Sequence, residues 1–139
     1  MSARFEYVYT MTDYYDAPRK GIANVNGVPH VYESIFDYDI DEYSVFYYLK
    51  PISKEILNLA LEEWEMFQKW QIARLQDETT IEDHPVLPED RKQFDTLRPV
   101  LEIELTIRNQ DIEEHKVKYA LAEFSIGDTL GLHGPKLPI

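Results

Sequence analysis

GIANVNGVPHVYESIF, residues 21–36, decides how the first half of the chain folds. Asn26 and Gly27 both tolerate positive φ, which a two-residue type I′ turn demands at its central positions. The apolar and β-branched residues on either side, 22–25 and 28–36, then become the arms of a hairpin. Pro29 has no N–H to give to a ladder, so the start of the second arm is expected at an edge or bulge.

Upstream, residues 4–12 (RFEYVYTMT) set Phe5, Tyr7, Tyr9 and Met11 against Arg4, Glu6, Val8 and Thr10. That period of two is a strand pattern. Between this strand and the hairpin, DYYDAPRKG (13–21) reads as a loop, punctuated by Pro18 and Gly21. Downstream, DYDIDE (37–42) reads as a turn and YSVFYYLK (43–50) as a further strand.

The pattern then changes period. Leu57, Ala60, Leu61, Trp64, Phe67 and Leu75 share one face of a helix over 54–76, with Ser53 as N-cap, Glu55 in the first turn, and Ile52 stapled to Leu57. Leu59, Met66 and Trp70 form a second apolar stripe. A helix apolar on two sides is either sandwiched inside the fold or meets a second copy of the chain. The second option makes these three residues a candidate homodimer interface.

Pro88, followed by Glu89 and Asp90, opens another helix, which Pro99 ends or kinks. Leu101, Ile103, Leu105 and Ile107 alternate like a strand, yet Phe94, Leu97, Leu101 and Leu105 continue a helical stripe. A kinked helix is preferred because Leu and Glu are good helix formers. VKYALAEFSI (117–126) divides between a closing strand and a helix capped by Asp111 and Glu114, and the strand is preferred. The segment 127–139 holds three of the five glycines and two prolines and reads as an irregular arm. Strands followed by helices indicate one α+β domain over 1–139, an antiparallel sheet packed by two main helices.

Charge narrows the function. With 14 Lys+Arg against 26 Asp+Glu the net charge is −12, which opposes binding to nucleic acid. Six acidic residues and no Lys or Arg fall within 77–90, a composition suited to a solvated loop. No apolar run approaches the ~20 residues of a spanning helix, and MSARFEYVYT lacks the features of a signal peptide. A cytoplasmic protein without membrane contact is expected. With no cysteine there is no thiol chemistry.

Motifs for catalysis are missing. The sequence has no G-x-S-x-G elbow, no Walker A and no G-x-G-x-x-G. Its four histidines are scattered and lack metal-ligand spacing. Asp37, Asp39 and Asp41 open like a calcium loop, but Glu42 replaces the turn glycine and Tyr48 the closing acid, so a solvated turn is expected. No metal or cofactor is implied.

Nine of the ten tyrosines lie within the first 48 residues, a density that suits either cross-strand packing or a contact surface. Asp13, Tyr14, Tyr15, Asp16 and Arg19, with His30 and Glu33 on the hairpin, form the candidate binding set. Two functions follow. The first is a non-enzymatic protein-binding or regulatory module, the profile of a small acidic inhibitor or immunity protein. The second is a small-molecule binder or enzyme with an aromatic pocket and an acid–base pair from Asp, Glu and His.

Overall fold

The computed structural model describes residues 5–125 and 129–136. In chain order the elements are β1 (Phe5–Tyr14), β2 (Pro18–Val25), β3 (Val28–Asp37), β4 (Glu42–Pro51), α1 (Lys54–Leu75), α2 (Arg91–Leu105), α3 (Asn109–Glu113), β5 (Lys118–Ser125) and β6 (Thr129–Lys136). The class is α+β, and the chain forms two compact units. One contains the six strands and α3; the other spans Lys54–Thr106.

In the first unit each strand runs antiparallel to the next, and β6 returns to β1, closing a barrel. The Asn26–Gly27 turn forms as expected, with φ of 54° and 77°, and Val25 faces Val28 across it. Glu6 of β1 secures this turn, its carboxylate accepting the Asn26 and Gly27 amides at 2.7 and 2.8 Å. β3 lies between β2 and β4, but its pairing with β4 begins at His30↔Pro51, so Pro29 sits beyond the end of that ladder, a local edge as expected. Its missing N–H therefore costs no β3–β4 ladder bond, while its carbonyl still accepts the Ile52 amide at 3.0 Å. The loop expected over 13–21 is shorter. β1 continues to Tyr14 and β2 begins at Pro18, leaving a turn with Asp16 at φ 64°.

Val8, Ala23, Val25, Tyr32, Tyr47, Leu49, Ala120, Ala122 and Leu130 form the barrel core. Small residues make room for large ones, Ala120 facing Tyr47 across β5 and β4. The buried tyrosines also repair the ladder. Pairing of β1 with β2 shifts register between Val8 and Thr10 and again beyond Met11, which disturbs the regular exchange of backbone bonds. The Tyr32 hydroxyl donates to the Thr10 carbonyl at 2.9 Å, and the Tyr47 hydroxyl to the Pro18 carbonyl at 2.7 Å.

The closing strand expected over 117–126 is β5. The irregular arm expected over 127–139 is corrected by β6, which takes up Thr129–Lys136 despite its glycines and prolines. Neighbours on both sides, β5 and β1, supply a ladder that local propensity does not register.

In the helical unit, α1 follows its predicted span and α2 continues through Pro99 to Leu105, so the helical reading of 101–105 holds. Glu63 of α1 pairs with Arg98 of α2 at 2.9 Å, and Lys69 pairs with Asp90 at 3.1 Å. Burial pushes the Glu63 carboxyl up, with Arg98 opposing. The acidic segment 77–90 is partly ordered by such contacts: Thr79 donates to Asp83 at 2.6 Å, and Arg91 to the Asp83 carbonyl at 3.1 Å.

Trp70 lies 4.8 Å from the His84 ring, edge to face, and its indole N–H donates to the Thr80 carbonyl at 3.4 Å. Met66 and Trp70 are only 5% and 6% exposed and Leu59 is half-buried. The stripe read as a homodimer interface is therefore largely covered within the chain, because the segment after α1 folds back over Trp70. Among the described residues no helix is long and apolar enough to cross a membrane.

Candidate functional site

The up-and-down order of the strands places the β1–β2 and β3–β4 turns at one end of the barrel and the Asn26–Gly27 turn at the other. At the first end two adjoining clefts of about 340 and 810 Å³ open between the two hairpins. Asp13, Arg19, Phe36 and Tyr43 line both. Tyr14, Tyr15, Asp16, Asp41 and Glu42 complete the larger one, and Glu33 and Tyr38 are among those that line the smaller.

Arg19 organises this end. Its Nε donates to the Tyr15 carbonyl at 2.8 Å and its Nη1 to Ser34 Oγ at 3.3 Å. Its guanidinium carbon lies 4.4 Å from the centre of the Tyr43 ring, a cation–π contact. One side chain thus ties the β1–β2 turn to both strands of the next hairpin. Burial pushes the Tyr47 phenol beneath it up, against the opposing pull of Arg19. Aromatic contacts continue the wall, Tyr15 at 6.1 Å and Phe36 at 5.0 Å from Tyr43.

The rim is exposed and acidic. Tyr14, Tyr15 and Tyr38 are 64%, 69% and 86% exposed. Asp13, Asp16, Asp41 and Glu42 form no ion pair with a described residue. Asp16 and Asp41 both hold positive φ, 64° and 55°, which their short polar side chains tolerate. Asp37 Oδ1 accepts the Asp39 amide at 2.9 Å, an Asx-type turn.

Of the residues singled out in the sequence, Asp13, Tyr14, Tyr15, Asp16, Arg19 and Glu33 meet at this end. Glu33 is already engaged with Lys20 at 3.4 Å, its register partner across β2 and β3. His30 is not there. It is buried toward the opposite end, its Nδ1 2.8 Å from the Val28 carbonyl, and burial holds its imidazole below the ordinary range. His30 and Glu33 are an odd number of residues apart on one strand, so they face opposite sides and make no acid–base pair.

Phe36 on β3, Glu42 and Tyr43 on β4, and Tyr38 and Asp41 in the turn between them join the site from a segment that sequence reasoning read as strand, turn and strand without a binding role. Their signal is the mixture of acid and aromatic residues in FDYDIDEY, 36–43, which repeats the character of DYYD, 13–16. No family model, curated protein or solved structure matches the chain.

Proposed function

We propose that the protein is a non-enzymatic binding module that docks a protein partner at this barrel end. The observation that carries the reading is the placement of exposed Tyr14 and Tyr15 on the larger cleft and exposed Tyr38 on the adjoining one, with Tyr15 and Tyr38 linked through the rings of Tyr43 and Phe36. Tyrosine offers a large, stiff contact area with a hydroxyl at its tip, and it is enriched at protein interfaces. Arg19, which braces the turns from beneath, lowers the cost of ordering them on binding. With His30 inside the barrel and Glu33 engaged by Lys20, the acid–base set that would favour an enzyme is not assembled.

Affinity capture from the native host, quantified by mass spectrometry, tests this with wild type beside a Tyr15→Ser/Tyr38→Ser variant. The exposed positions make both changes compatible with folding, which circular dichroism checks. A partner held by wild type and depleted at least about ten-fold by the variant is expected. Equal capture by both proteins removes the rim from any binding role.

A further inference from the structure

We infer that the segment this cleft receives is basic and presents arginine side chains to its tyrosine rings. The inference rests on the reading of the cleft as a protein-docking site and adds the chemistry of the partner.

Charge is the first argument. The larger cleft gathers Asp13, Asp16, Asp41 and Glu42 around the single cation Arg19. Arg19 is engaged by Tyr15, Ser34 and Tyr43 and pairs with none of the four carboxylates, so the cleft keeps an excess of negative charge. A chain of net charge −12 adds a long-range field of the same sign, which draws cationic ligands and repels acidic or phosphorylated ones.

Geometry decides what kind of cation. Among the described residues no three acidic or histidine side chains converge closely enough to hold a metal ion. Carboxylates spread around a cleft of about 810 Å³ are matched by charges spread along a ligand. An extended polycation meets that condition and a point charge does not.

The aromatic wall then selects arginine over lysine. The chain itself lays a guanidinium 4.4 Å over Tyr43, showing how such a group seats at this end. Tyr14, Tyr15 and Tyr38 offer further exposed rings next to carboxylates. A planar guanidinium can stack on a ring while its N–H groups reach a carboxylate; an ammonium offers no plane to stack.

The test titrates hexa-arginine, hexalysine and hexaglutamate into the isotope-labelled full chain, following amide resonances at low and moderate salt. Hexa-arginine is expected to bind saturably, to shift the amides of 13–19 and 38–43, and to bind several-fold more tightly than hexalysine. Salt should weaken it. The variant Asp16→Asn/Asp41→Asn keeps residues that tolerate positive φ and should weaken hexa-arginine about five-fold or more. Equal binding of the two basic peptides, or binding unaffected by the double substitution, reduces the effect to general attraction and overturns the inference. Binding of hexaglutamate at the cleft overturns it as well. If hexa-arginine leaves 13–19 and 38–43 unshifted while the Tyr15→Ser/Tyr38→Ser variant still loses its native partner, only the inference falls. If that variant keeps its partner, the docking reading falls with it.

Discussion

Glu6 on β1 and Gly27 in the β2–β3 turn, twenty-one positions apart, are joined by a 2.8 Å hydrogen bond from the Gly27 amide to the Glu6 carboxylate. Glu6 thereby locks β1 to the turn that connects β2 and β3. Replacing Glu6 with Ala should cost about 1–2 kcal/mol, since two amides lose a charged acceptor at an exposed site where water partly substitutes. Gly27→Val should cost a similar ~1–2 kcal/mol from backbone strain alone, because a Cβ there meets nothing within 4 Å at φ +77°. Urea denaturation of both variants checks this. An unchanged midpoint for Gly27→Val contradicts the strained-turn argument.

Gly21 has a different reason to be glycine. A Cβ there would lie 2.0 Å from the Thr10 carbonyl oxygen and 2.5 Å from the Tyr32 hydroxyl. Gly21→Ala should therefore destabilise by about 3 kcal/mol or more, through overpacking and loss of the Tyr32–Thr10 bond. Tyr32→Phe should cost only about 1–2 kcal/mol, because it removes the donor without adding volume. Thermal melts that rank the two in the reverse order would refute the steric account.

His30 and Asp111 both contribute to the response to acid. Burial holds His30 below its ordinary value of 6.5, with Lys118 adding to the effect and the Val28 hydrogen bond and Glu6 opposing it. The folded state thus favours the neutral ring. This contribution is complete above about pH 6.5 and is lost as pH falls through the folded value. His30→Asn can still donate to the Val28 carbonyl but does not titrate, so its stability should fall less than wild type between about pH 7.5 and pH 5. Equal losses of urea-unfolding free energy in the two proteins over that range would sink the assignment.

Asp111 acts lower on the scale. The Arg108 amide, donating to its carboxylate at 2.9 Å, and Lys50 at 3.3 Å hold it below its ordinary 3.8. Its contribution persists above about pH 3.8 and disappears as pH falls through the folded value. Asp111→Asn, measured near neutral pH, should cost about 2–3 kcal/mol because it removes the carboxylate that faces a largely buried Lys50. Adding Lys50→Met should recover part of that loss, and a double variant no better than the single one would contradict the pairing.

Trp70 should behave as a core residue of the helical unit. Trp70→Ala is expected to cost about 3–5 kcal/mol, and Trp70→Glu to abolish the helical circular dichroism of Lys54–Thr106. A well-folded Trp70→Glu protein would show that its surroundings are not a packed interior.

What was legible in the sequence is what local chemistry decides. Asn26–Gly27 demands its turn whatever surrounds it, and the helical periodicity through Trp64 and Phe67 has no strand equivalent. Pro99 was readable as compatible with a kinked helix, and α2 continues through it. The fate of 129–136 was not legible, since its strand exists only through partners at Phe5–Tyr7 and Tyr119–Ser125. The site was half legible. Residues 13–19 announced themselves by composition, whereas Phe36, Tyr43 and Asp41 belong to the site only because two turns share a barrel end. The displacement of His30 was available in principle: counting by twos from Tyr32 puts it on the inward side, away from Glu33.

Leu49 faces Lys118 across the β4–β5 ladder, yet the whole of Lys54–Thr106 lies between them in the chain. The order of assembly follows from that connectivity. The pairs β1–β2, β2–β3 and β3–β4 are each joined by a short turn and can form from neighbouring residues, as can β5–β6. Bringing β4 to β5 must overcome the closure entropy of a long intervening span, unless that span has already contracted into its own compact helices. We therefore expect substitutions in Lys54–Thr106 to slow barrel closure as well as destabilise their own unit, so that helix formation sets the pace at which the sheet becomes a ring.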